Sequence, residues 1–224
     1  MLSCSKQTEV TAVTEVQQPN QVDYLEAPDE ARPVKTNGIP CLYIDFDGET
    51  VQHNQWNGGN TIHCAPAAIS EADKDLIMSR VQAAYGKYKI TITTSATTFS
   101  QARTKQRVVV TPTSSWYAGN VSGVAYISSL YTNNSAPAFV FTDRLHNHIK
   151  NIGDIVMHEA GHTLGLYHQS EYDAACGLVN SYRYGTIMGY PFNVSDPVWA
   201  NGTSRGCNIY QNDSLHLQQK LGLR

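Results

Sequence analysis

His158-Glu159-Ala160-Gly161-His162-Thr163-Leu164-Gly165-Leu166-Tyr167-His168 is the stretch around which the rest of the chain can be read. His158 and His162 are four residues apart, so on a helix both imidazoles leave one face and can reach a single ion. Glu159 lies about 100° around the helix from His158, close enough to touch a water on that ion without ligating it. Gly165 can take the positive φ that ends a helix and turns the chain back, which brings His168 up as a third ligand. Three neutral imidazoles leave a fourth tetrahedral position open, the arrangement of a catalytic zinc and not of a structural one. With 8 His and 16 Gly in 224 residues, chance produces the full pattern in about one such chain in 10⁴ to 10⁵.

Working outward, residues 152–164 form the helix that carries the first two histidines, with Asn151 as its cap and Gly165 as its stop. Upstream, Ser70-Glu71-Ala72-Asp73 has the form of a capping box. After it, Leu76, Ile77, Val81, Ala84 and Tyr85 recur at helical spacing. Residues 41–46 alternate as a strand, closed by the turn pair Asp47-Gly48. Further β-branched runs at residues 89–94, 107–111, 123–130 and 138–142 read as four more strands. Residues 213–221 form a last short helix after an irregular stretch. Five strands and three helices in this order predict a mixed α/β layer built on one twisted sheet. Residues 1–37, with Pro19, Pro28 and Pro33 and few large apolar groups, read as a flexible tether or a short pro-segment. Residues 38–224 form one domain, split after His168 into an upper part (38–168) and a lower part (169–224).

Composition narrows the function classes. Lys plus Arg is 16 and Asp plus Glu is 19, a net charge of −3. Without a basic stripe, a nucleic-acid partner is not expected. No apolar run approaches the roughly 20 residues that span a bilayer as a helix. Of the five cysteines, Cys41, Cys64, Cys176 and Cys207 can form two disulfides in three connectivities or stay as free thiols. Nearest-neighbour pairing, Cys41 with Cys64 and Cys176 with Cys207, is the expectation, and it places the protein in an oxidising compartment. Met1-Leu2-Ser3-Cys4 resembles the end of a bacterial lipoprotein signal, which makes Cys4 a lipidation candidate and a secreted or surface-anchored location the expected one. Asp45, Asp47 and Glu49 form a carboxylate cluster with room for calcium, although a solvated turn reads as well.

The zinc stretch resembles the signature of the metzincin metallopeptidases. Tyr184-Gly185-Thr186-Ile187-Met188-Gly189-Tyr190 is similar to that family's tight turn, in which a methionine, here Met188, lies beneath the metal. Tyr190 matches a tyrosine that reaches toward the zinc in the astacin and serralysin types. Gln169 departs from the named subfamilies, since matrixin and adamalysin types carry Asp there, astacins Glu and serralysins Pro. The subfamily therefore stays open.

The resemblance implies a five-stranded mixed sheet above an active-site helix, with a smaller irregular C-terminal subdomain. It implies one zinc ion, Glu159 as general base and acid, and hydrolysis of peptide bonds within polypeptides. An edge strand, here Gly123, Val124, Ala125 and Tyr126, would pair with extended substrate. Residues 191–208 would wall the pocket beyond the scissile bond. A monomer is expected. The alternative is a catalytically silent surface-binding module that keeps the zinc, against which Glu159 itself argues.

Overall fold

Alternating β-branched and aromatic residues build the centre of the sheet, and a computed structural model of the protein gives its layout. The described residues are 21–26, by backbone path alone, 38–132 and 135–224. Cys4 and most of residues 1–37 lie outside them. In chain order the elements before His168 are β1 (Gln21–Glu26), β2 (Cys41–Asp45), β3 (Glu49–Val51), β4 (Ile62–Cys64), α1 (Glu71–Tyr85), β5 (Thr91–Thr93), α2 (Ala96–Gln101), β6 (Lys105–Thr111), β7 (Val121–Ile127), β8 (Ala138–Phe141) and α3 (Ile149–Thr163). After His168 come the short strands β9 (Glu171–Tyr172), β10 (Leu178–Asn180), β11 (Asn201–Thr203) and β12 (Tyr210–Asn212), and then α4 (Asp213–Leu221).

The sheet runs β1-β7-β8-β6-β2-β5. β2, β5, β6 and β8 are mutually parallel, and β7 is antiparallel to β8. These are the five expected strands. β1 adds a sixth, lying parallel along the outer side of β7 with Asp23 opposite Val124 and Leu25 opposite Tyr126. The edge that the sequence left open is therefore taken by the chain's own N-terminal part.

α1 and α3 cover one face of the sheet. Ile77, Val81 and Tyr85 from α1 meet Ile152, Ile155 and Val156 from α3 in one core with Leu42, Ile44, Val108 and Val140. Ser70 caps α1 by accepting from the Asp73 N–H, and the Tyr85 hydroxyl donates to the Met157 carbonyl at 2.8 Å. The opposite face has its own core under the β3–β4 hairpin, where Trp56 packs on Tyr126 and Phe139. Both faces are covered, so β2 and β7 read as continuous buried runs instead of alternating ones.

Two expectations need correction. α3 begins three residues before 152, with His148 and not Asn151 as its N-cap residue. Of the two disulfides only Cys176–Cys207 forms, while Cys41 and Cys64 are buried free thiols. Cys41 opens β2, whereas Cys64 pairs with Glu49, beyond the far end of that strand. Five residues rising about 3.3 Å each separate the two by well over the ~7 Å that a disulfide tolerates between α-carbons.

Candidate metal centre

The end of α3 is shaped by Gly165. Leu166 N–H donates to the Gly161 carbonyl at 3.0 Å and Gly165 N–H to that of His162 at 2.8 Å, the two-bond closure that goes with a left-handed residue just past a helix. Gly165 supplies it with φ +99°, and a β-carbon there would lie 2.9 Å from Ser128 Oγ. The reversed chain delivers His168 to the helix face. The Nε2 atoms of His158 and His162 are 2.9 Å apart, and that of His168 is 3.1 Å from each.

Two of the rings have fixed tautomers. His158 Nδ1–H donates to the Ile187 carbonyl at 2.6 Å and His162 Nδ1–H to the Leu166 carbonyl at 2.7 Å. A carbonyl only accepts, so both Nε2 atoms carry bare lone pairs. Burial pushes His158 down to about 4. It also holds His162 and His168 well below the usual imidazole range, with the neighbouring rings adding to the effect. Lone pairs converging at 2.9 Å repel, and a cation among them removes the repulsion. The donor set fits a metal ion, and among the described residues it is the one group of three or more such side chains close enough to share one.

Glu159 is fully buried beside the triad, beneath β7. A β-carbon at Gly123 would stand 2.6 Å from Glu159 Oε1, so the strand passes directly over the carboxylate only because this residue has no side chain. Met188 is buried too, and its Sδ would be 2.5 Å from a β-carbon at Gly161. Its turn is stitched to the centre by the Ile187 carbonyl on His158 and by Gln169 N–H on the Met188 carbonyl at 2.7 Å. Tyr190 leaves the turn with its ring between Tyr184 and Phe192, both centroids at 5.1 Å. Tyr182, which the sequence did not single out, stands edge-on to His168 at 4.8 Å.

Residues 93–216 match the family described as Metallo-peptidase family M12B Reprolysin-like. The span contains the whole triad, β7 and the methionine turn. The chain belongs to the M12B reprolysin-like metallopeptidases. No curated protein matches it. Gln169 still stands where the named subfamilies carry Asp, Glu or Pro.

In this reprolysin-like chain Gln169 is buried, and its Nε2 donates to Asp213 Oδ1 at 2.8 Å and to the Gln211 carbonyl at 2.9 Å. Burial pushes the Asp213 carboxyl up to about 6 against the pull of the N–H groups it accepts. Neither Gln211 nor Asp213 was visible as a site residue, because a polar pair closed across more than 40 residues leaves no periodic trace. The carboxylates of Asp45 and Glu49 both face the Arg107 guanidinium, Asp45 at 3.4 Å. No helix among the described residues is long and apolar enough to cross a membrane.

Proposed function

We propose that this metallopeptidase is a zinc-dependent endopeptidase acting on extended polypeptides, with His158, His162 and His168 as the zinc ligands. The observation that carries the reading is the convergence of three buried, neutral imidazoles within 3.1 Å of one another beside a buried carboxylate. Zinc, when bound, supplies Lewis acidity: it lowers the pKa of a water to about 7 and polarises a peptide carbonyl.

The chain's own residues do the rest. Glu159 takes a proton from the water as it adds to the scissile carbonyl carbon, and returns that proton to the leaving nitrogen. Its buried place under Gly123 keeps the carboxylate aimed and away from bulk solvent. The Ile187 and Leu166 carbonyls hold two of the imidazoles in the tautomer that presents Nε2. Tyr190 donates its phenol hydrogen to the carbonyl oxygen as charge develops there, and Met188 packs beneath the ligands. Residues 191–208 wall the pocket beyond the scissile bond.

Substrate pairs along β7 at Gly123, Val124, Ala125 and Tyr126. That edge is the one β1 occupies, which favours a pro-segment over a tether for the residues before 38. The Cys176–Cys207 disulfide fits an oxidising compartment, secreted or at the cell surface, and Cys4 remains the lipidation candidate. Calcium at Asp45, Asp47 and Glu49 has no place in this reading, since the Arg107 guanidinium already stands against two of the three carboxylates.

Glu159→Gln tests the mechanism. It should leave one zinc per chain and the fold intact while removing nearly all cleavage of a denatured protein substrate. Near-wild-type cleavage by that variant would falsify the role of Glu159. Zinc-loaded protein that shows no proteolysis even with residues 1–37 removed would favour the silent binding module. Tyr190→Phe should lower kcat by roughly 10 to 100-fold, about 1.4 to 2.7 kcal/mol, with KM little changed. Equal kcat would leave the ring as packing against Tyr184 and Phe192.

A further inference from the structure

His168 reaches the triad differently from its two partners. His158 and His162 stand on a helix whose own hydrogen bonds fix their backbone, whereas His168 comes from a non-helical segment beyond Gly165. Its place must be fixed by something outside α3, because each loop residue held in one conformation costs about 1–2 kcal/mol. Both of its chain neighbours are gripped. On one side the Gln211 carboxamide closes on Tyr167, accepting from Tyr167 N–H at 2.9 Å and donating to the Tyr167 carbonyl at 2.7 Å. On the other, Gln169 bonds through its main chain to Met188 and Arg183, both at 2.7 Å. Its side chain bonds to Asp213 and to the Gln211 carbonyl.

Asp213 joins the two grips. Its Oδ1 accepts from Gln169 Nε2 at 2.8 Å and from Gln211 Nε2 at 2.9 Å. A carboxylate offers acceptors only, so it selects which end of each carboxamide faces it. That choice leaves Gln211 Oε1 for Tyr167 N–H, and every carboxamide hydrogen of both glutamines finds an acceptor. Asp213 is itself anchored. Its Oδ2 accepts from Ala200 N–H and its own N–H donates to the Ala200 carbonyl, each at 2.9 Å. It is also the first residue of α4, where the helix dipole favours negative charge.

We infer that Asp213 is the positioning residue for the third zinc ligand: through Gln211 and Gln169 it clamps the main chain on both sides of His168. The proposal rests on the zinc reading above and deepens it. The clamp touches neither metal nor substrate, and its effect is to hold His168 at the triad before an ion arrives and while one is bound.

Release of zinc from the full-length, zinc-loaded protein to a chromophoric chelator measures this without reference to turnover. Asp213→Ala should release zinc 10 to 100-fold faster than wild type, the scale on which outer partners of ligands act. Adding Gln169→Ala to it should change release by less than the product of the two single effects, since the two residues share one contact. Gln211→Ala, which keeps the buried carboxylate, should accelerate release in the same direction and serves if Asp213→Ala does not fold. Trp56→Phe, in the opposite core, gives the rate expected of a loss of stability alone and should release zinc as wild type does. Unchanged release in Asp213→Ala and Gln211→Ala, or effects of Asp213→Ala and Gln169→Ala that multiply, would overturn the clamp. Wild-type protein that takes up no zinc would instead defeat the reading beneath it.

Discussion

Gly123 and Glu159 compete for the same space, and the sequence resolves the competition by giving the strand residue no side chain. Gly123→Ala would put a β-carbon 2.6 Å from Oε1 and 2.8 Å from Cγ of Glu159, and 2.8 Å from Ile155 Cγ2. The strand is held on both sides by its neighbours, so the carboxylate must give way. A shift of about 1 Å at a proton-transferring group costs roughly 100-fold, so kcat should fall by that order while zinc content stays at one per chain. Lost zinc, or an unchanged kcat, would contradict the close approach. The metal chemistry itself was legible because it dictates residue type and spacing within one short stretch. The support of that chemistry was not. Gly123 was named for its strand and not for its missing β-carbon, and Gly161, which leaves room for Met188, was passed over as a spacer in the motif.

Elements with strong local signals fall where the sequence puts them. α1 begins at its Ser70 cap, and α4 spans Asp213–Leu221 as read. The start of α3 moved because Asn151 looks like a cap, yet the helix begins three residues further back, where half-buried Ile149 packs against the core. α2 and the β3–β4 hairpin were missed for a common reason. Each is short, and each is held by tertiary contacts, such as Tyr43 on Phe99 at 5.0 Å, and not by its own pattern. β1 is the missed element with the largest consequence, for its residues carry no core signature in the sequence and its backbone is placed along β7. Proline at Tyr24 and Leu25 together removes the ladder donor on whichever of the two supplies it. The double variant should lose amide protection along Val121–Ile127 in hydrogen exchange and cleave an unstructured peptide faster than wild type. Equal exchange in the two proteins would mean that β1 does not guard this edge.

At the scale of the molecule, two cores lie back to back across one sheet, and the segment after His168 joins the first of them through Ile187, Met188, Leu217 and Leu221, with short strand pairs and one disulfide closed within itself. Most of the buried apolar residues lie before His168. Closing 31 residues of sequence with Cys176–Cys207 should contribute about 3 to 4 kcal/mol in the chain-entropy account, so Cys176→Ser with Cys207→Ser should lower the unfolding midpoint markedly. The triad makes the metal-free protein sensitive to acid. Burial holds His158 near 4 when folded, against about 6.5 when unfolded. The unfolded chain thus takes up a proton first as pH falls. Stability contributed by the neutral ring is complete above pH 6.5, declines as pH falls toward 4, and is then gone, a change of about 3 kcal/mol. Asp213 acts with the opposite sign, since its carboxyl is raised to about 6 and its contribution is lost as pH rises through that value. The measured curve is the sum of such terms, so the histidine has to be isolated by difference. Urea unfolding of chelator-treated wild type and His158→Gln between pH 7 and 4.5 does so. The wild-type curve should be steeper by about one proton, near 1.4 kcal/mol per pH unit. Parallel curves would mean that His158 is protonated in the metal-free fold, and the argument from converging lone pairs would lose its ground.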